Sequence, residues 1–177
     1  MARRTALLHY AFASTLIAEL GEEQGLRLVE KAIHAYGLAC GQAVRAGVEA
    51  QGLPPTPENF NRVRDLPAVG WEMTTVTDET GVLDACGVLD ARGVLDACGV
   101  LDACGVLDAC GVLDACTFCP LADTWTRLGP EARRLGRLYC HVDQAKQEGY
   151  NPEYEYVHLQ NVLDGDPMCV FAVRPRS

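Results

Sequence analysis

Apolar residues recur at helical spacing through the first fifty positions. Leu7, Tyr10, Phe12 and Ile17 are spaced as on a helix, expected over residues 3–20 and stopped near Gly21. A second helix is expected from about Glu22 to Gln51, with Leu26, Leu28, Val29, Ile33, Tyr36, Leu38 and Val44 as its apolar stripes. Gly25, Gly37, Gly41 and Gly47 interrupt those stripes. Each costs about 1 kcal/mol against Ala in a helix interior, so close packing of another helix is their expected use. His34 and Cys40 on this helix read as a partly buried imidazole and a core thiol. Pro54-Pro55-Thr56-Pro57 ends the helical hairpin, and Thr56 is placed to cap a short helix through Arg64. Trp71 to Thr77 alternates as a strand does, and Asp78 to Gly81 forms a turn.

Further on, Leu121 to Leu128 is a short helix ended by Gly129, and Pro130 opens another that runs to about Glu148. Leu135, Leu138, Tyr139 and Val142 form the buried stripe of the latter. Tyr154–Leu163 and Met168–Arg174 form a final hairpin around the turn Asp164-Gly165-Asp166-Pro167.

Between these regions the hexapeptide GVLDAC stands six times in tandem over Gly81–Cys116, with Arg92 replacing Cys in the second copy. The period is even, so a strand presents Gly, Leu and Ala on one face and Val, Asp and Cys on the other. A helix fits less well, because six residues advance the phase by about 600° and rotate the apolar stripe from copy to copy. A parallel β-helix is disfavoured, since six copies complete only about two coils. The economical reading is that one copy belongs to the fold, in a hairpin WEMTTVTDET-GVLDAC-TFCP whose second strand leads into Cys119 and Pro120. The other five copies form an insertion of even length, which preserves the in/out register on either side. Duplication also explains the C-x5-C spacing, which matches no standard zinc pattern.

The repeat changes how composition is read. The chain is 177 residues long, 49% hydrophobic and 22% charged, which suits a single domain over residues 1–177 with a sizeable core. Of the net charge of −9, the repeat supplies six Asp and one Arg, or −5, and the remaining −4 gives no reason to expect a nucleic-acid partner. Of nine cysteines, five (Cys86, Cys98, Cys104, Cys110 and Cys116) belong to the repeat. The other four, Cys40, Cys119, Cys140 and Cys169, suit a reducing, cytoplasmic compartment better than a disulfide scaffold. Arg3 and Arg4 before an apolar run give the N-terminus the look of a signal peptide, but His9, Tyr10 and Ser14 interrupt that run, and a structural helix is favoured. No stretch is long and apolar enough to span a membrane. Homo-oligomerisation stays open.

The chemistry concentrates in Thr117–Val173. Cys119 precedes a proline at the end of a strand, Cys140 lies inside a helix, and Cys169 follows the Asp-Gly-Asp-Pro turn. Gly136, Cys140 and Asp143 share a helix face, which puts a thiol beside a carboxylate. The run F-C-P-L-A (118–122), L-G (128–129), Y-C-x-x-D (139–143), N-P (151–152) and D-G-D-x-x-C-x-F (164–171) resembles the L-2-amino-thiazoline-4-carboxylate hydrolase family. The ending G-D-x-x-C-x-F is also similar to the 4-vinyl-reductase type of small-molecule-binding domain. That resemblance implies an α+β fold, with the N-terminal helical hairpin and further helices packed on an antiparallel sheet.

What the first resemblance implies is hydrolytic opening of a cyclic amidine-like ring to a carbamoyl-cysteine product, with a small molecule as substrate. Such chemistry needs a nucleophile, a proton donor for the departing atom and a cation for the substrate carboxylate. The constellation expected to carry it is Cys140 and Asp143 on one helical face, met by Cys119 and Cys169 from adjacent strands. An anionic Asp raises a neighbouring thiol's pKa, so Asp143 suits a base for water or a metal ligand better than an activator of sulfur. The alternative is a non-catalytic ligand-binding or sensor domain with structural zinc, since Cys140 and Cys169 stand where two zinc-binding thiols of such sensors are expected; Asn161 stands where the third would be.

The remaining polar residues have plainer expectations. His141 points about 100° away from Cys140 around the helix and belongs on the surface. His158 is expected four residues, at about 3.4 Å each, from the level of Cys169, too far to share a ligand unless the hairpin is bulged. Asp164 and Asp166 read as turn formers. Arg133, Arg134 and Arg137 read as solvated helix charges, one of which could hold a carboxylate.

Overall fold

The computed structural model describes residues 1–63, 70–75 and 112–176. Helix α1 (Ala2–Leu20) and helix α2 (Glu22–Glu49) form the expected hairpin about Gly21, whose φ of 80° suits glycine. Helix α2 buries Gly25, Val29, Ile33, Gly37, Gly41, Val44 and Val48, a stripe advancing by three or four residues. His34 and Cys40 lie off this stripe. His34 is consequently exposed beside Glu148 (3.3 Å) rather than partly buried, and Cys40 is half-buried rather than a core thiol.

Helix α3 (Pro57–Phe60) is shorter than expected, and Arg64 lies outside the described residues. Helices α4 (Pro120–Leu128), α5 (Pro130–Tyr139) and α6 (His141–Tyr150) follow the first half of the sheet. The single helix expected from Pro130 to about Glu148 is therefore two helices, with Cys140 at the junction instead of in a helix interior. Its backbone stays helical (φ −61°, ψ −19°), but its N–H bonds to Arg137 O three residues back, and the Asp143 N–H bonds to Cys140 O. The tightened turn lets α5 pack on α1 and α4 while α6 packs on α2.

That second contact uses the glycines as the sequence suggests. A Cβ at Gly37 would lie 2.5 Å from Ala145 Cβ and 2.7 Å from Val142 O, one at Gly41 would run into the Lys146 carbonyl, and one at Gly149 would run into Leu38 O. At the far end Val44 and Val48 pack with Tyr150, whose hydroxyl donates to Thr56 O (2.8 Å). The other end of the core holds Trp125, fully buried, its indole N–H donating to Ala6 O (2.9 Å) and its ring beside His9 and Tyr139.

The sheet is antiparallel in the order β1-β2-β4-β3, formed by β1 (Glu72–Thr75), β2 (Val112–Phe118), β3 (Tyr154–Gln160) and β4 (Cys169–Pro175). Strand β2 is the last GVLDAC copy running into Thr117 and Phe118, paired with β1 as the hairpin reading required. The turn at 78–81 and the other five copies lie outside the described residues. Register places Asp114 and Cys116 of β2, Cys169 and Phe171 of β4, and Tyr156 and His158 of β3 on the face that meets α6. With helices packed on this sheet, the fold is the expected α+β.

Candidate functional site

Three elements converge on the face beneath α6. The α5–α6 junction supplies Cys140, and the first turn of α6 supplies Asp143. The β2–α4 corner supplies Cys119, and the start of β4 supplies Cys169, directly opposite Cys116 of β2. The structure thus brings together Cys119, Cys140, Cys169 and Asp143. It adds Cys116, which the sequence reading had set aside as part of the repeat.

Asp143 is the common neighbour. Its negative charge adds to the rise in pKa of the Cys116, Cys119, Cys140 and Cys169 thiols and of the Tyr139 and Tyr156 phenols. In all six groups burial is the larger cause. Cys116 and Cys140 are each pushed up to about 12. Cys119 sits at the N-cap of α4, where the Ala122 and Leu121 N–H groups and the Trp71 indole favour its thiolate. No full capping hydrogen bond forms, and burial outweighs these dipoles. All four thiols are therefore protonated near neutral pH, and none is poised as a thiolate in the free protein.

His158 lies nearer the level of Cys169 than an unbulged hairpin allows. The register between β3 and β4 shifts between His158 and Gln160, and β3 ends at Gln160 before reaching Val162. His158 pairs with Phe171, so it stands two residues, not four, from the level of Cys169 on the same face. Its Nε2 lies 3.9 Å from Asp143 Oδ2. Burial first, then the positive field of Arg137 and the neighbouring His141, pushes its pKa down to about 4, so the ring is neutral at pH 7. His141 is exposed, as expected.

The turn after β3 is fixed by its own polar groups. Asn161 Oδ1 accepts from Leu163 N–H (2.9 Å), and Asp166 Oδ2 accepts from Asn161 N–H (2.7 Å), so Asp166 is the turn former expected. Arg133 is not a solvated charge: its Nε donates to Leu163 O (2.9 Å) and its Nη2 to Val162 O (3.1 Å). Arg137 is not one either, because its Nε donates to both oxygens of Asp164 (2.9 and 2.8 Å). Arg134, held by Glu22 and Glu131 at the surface, matches the expectation. Among the described residues, three buried side-chain nitrogens of this region lack a hydrogen-bond partner: Arg137 Nη1, His158 Nδ1 and Asn161 Nδ2. Spacing could have hinted at Arg137, three residues before Cys140 on the same helix; nothing local marks Asn161 or His158.

A family model for L-2-amino-thiazoline-4-carboxylic acid hydrolase matches residues 1–173. The chain belongs to that family. Comparison with curated proteins and with solved structures finds no match. Family membership spans all the elements that build the site, from α1 to β4. Cys140 and Cys169, the pair considered for zinc, share the site, but among the described residues no three His, Cys, Asp or Glu side chains are arranged to hold a metal ion. Among the same residues, no helix is long and apolar enough to cross a membrane.

Proposed function

We propose that this chain opens 2-amino-thiazoline-4-carboxylate by hydrolysis, with Asp143 as the base that activates water. The observation that carries the reading is the position of Asp143, a carboxylate among four protonated thiols and beside a neutral imidazole, in a chain of this family. A protonated cyclic amidine is a cation, and the Asp143 carboxylate is its natural counter-charge.

Water adds its oxygen to the carbon of the protonated amidine while Asp143 takes one of its protons. As the carbonyl forms, Asp143 returns that proton to the departing ring sulfur or nitrogen, and the proton of the added hydroxyl is released to solvent. One water is consumed, and the product is a carbamoyl-cysteine. A sulfur nucleophile is not needed, and the raised thiol pKa values argue against one.

The test is turnover of the thiazoline by reduced, purified protein, followed as carbamoyl-cysteine by mass spectrometry. Asp143→Asn should lower kcat by about 10²- to 10⁴-fold, the usual worth of a general base, with circular dichroism unchanged. Undiminished turnover in that variant would remove Asp143 from the reaction, and no turnover in the wild type would end the hydrolase reading.

A further inference from the structure

We propose that Arg137 and Asn161 form a clamp for the substrate carboxylate, so that the site accepts rings bearing a carboxylate and rejects their neutral counterparts. The inference rests on the hydrolase reading for the ring but not for the carboxylate. Its basis is a pair of buried donors left open beside a turn whose backbone is tied down.

Asn161 is only 1% exposed, its Oδ1 is engaged by Leu163 N–H, and its Nδ2 has no hydrogen bond of full geometry. The amide leans on the Cys140 sulfur, which places it at the thiol cluster. The charge of Arg137, on α5, acts on the same thiol. Its Nε is spent on Asp164, on the solvent side, where that carboxylate is half exposed, and its Nη1 is buried without a partner. Water screens the Asp164 charge, and the guanidinium still acts as a positive neighbour on Cys140, Cys169 and His158. A guanidinium fixed at one edge presents its remaining N–H groups in a set direction, which is the geometry that suits a carboxylate.

The turn from Asn161 to Asp166 keeps both donors in register. Arg133 grips Val162 O and Leu163 O, Asp166 holds the Asn161 backbone, and Asp164 holds Arg137. Asp143 and Arg137 thus give the site an acidic pole and a basic pole. A zwitterion, with a cationic amidine at one end and a carboxylate at the other, is the ligand that satisfies both.

The experiment uses the flat, non-hydrolysed ring 2-aminothiazole-4-carboxylate and its carboxamide, each titrated calorimetrically into the full-length reduced protein. The wild type should bind the carboxylate about 10- to 100-fold more tightly, the range of one charge-assisted hydrogen bond. Arg137→Gln should bring that ratio close to one, and Arg137→Lys, which keeps the charge without the fork, should leave an intermediate ratio. A merely structural role for Arg137 would change stability and leave the ratio alone. With the thiazoline, Arg137→Gln should raise KM more than it lowers kcat. Equal binding of both rings by the wild type, binding of neither, or a folded Arg137→Gln that keeps the wild-type ratio overturns the clamp. The wild-type comparison needs no variant, so it decides even if Arg137→Gln does not fold. A carboxylate preference without thiazoline turnover would uphold the clamp and sink the hydrolase reading, so the two fail separately.

Discussion

Gly41→Ala tests whether the α2–α6 contact holds the site together. In an isolated helix the change stabilises by about 1 kcal/mol. Here the new Cβ would stand 2.7 Å from Tyr150 N, 2.9 Å from Gly149 C and still nearer the Lys146 carbonyl oxygen. Carbon prefers its neighbours at about 3.5–4.0 Å, and all three atoms are backbone that cannot rotate aside. The helices must part by roughly 1 Å, loosening Val44, Val48 and Tyr150 around the contact. Overpacking of this kind costs up to about 3 kcal/mol, which leaves a net loss of about 2 kcal/mol after the propensity gain. For a chain of this size that lowers Tm by about 4–8 °C. Gly47→Ala is the control, because its Cβ would meet Val63 Cγ1 at 2.7 Å, a side chain that can shift, and its stability change should lie near zero. The assay is urea unfolding followed by circular dichroism, with thiazoline turnover measured alongside, since displacement of α6 carries Asp143 with it. If Gly41→Ala proves as stable as Gly47→Ala, the contact is not the constraint described.

Two further outcomes follow from the protonation states. Cys140→Ser should keep turnover within about tenfold of wild type if water is the nucleophile; loss to background in a folded variant would assign the attack to sulfur. His158, held neutral with a pKa near 4 between Asp143, Arg137, His141 and Asp164, binds a proton more readily in the unfolded chain, whose ordinary value is 6.5. Its contribution is therefore intact above pH 6.5 and lost as pH falls toward 4, by about 3 kcal/mol at most, and His158→Gln should flatten that part of the stability profile measured by urea titration.

What the sequence made legible is what local periodicity decides. Val29, Ile33, Val44 and Val48 mark one face of α2 at helical spacing, and the glycines among them could be read as a close contact because nothing else justifies four in one helix. The last GVLDAC copy could be placed in a strand because alternation is a property of the strand itself. The misses are long-range. The break at Cys140 arises because α5 and α6 have different packing partners, and no residue there breaks helices by itself. The shift after His158 is a choice made with β4, and it moves His158 to the level of Phe171. Arg133 and Arg137 looked like surface charges because their acceptors, Val162 O, Leu163 O and Asp164, are about thirty residues away in sequence.

Those misses fall at one place, and that separates this site from ordinary core. More than 90% of buried polar groups in folded proteins are paired, and an unpaired one costs about 1–3 kcal/mol. Here the backbone of the Asn161–Asp166 turn is well satisfied by Arg133, Asp166 and its own turn bonds. Among the described residues the open side-chain nitrogens near Asp143 belong to Arg137, His158 and Asn161, and those of Arg137 and Asn161 are donors. A scaffold built only for stability would pair them or replace them with apolar residues at little cost. Keeping the Arg137 and Asn161 donors open in a rigid frame makes sense when a ligand completes the network, and the proposed ligand, with a carboxylate and a cationic amidine, matches the charges of Arg137 and Asp143.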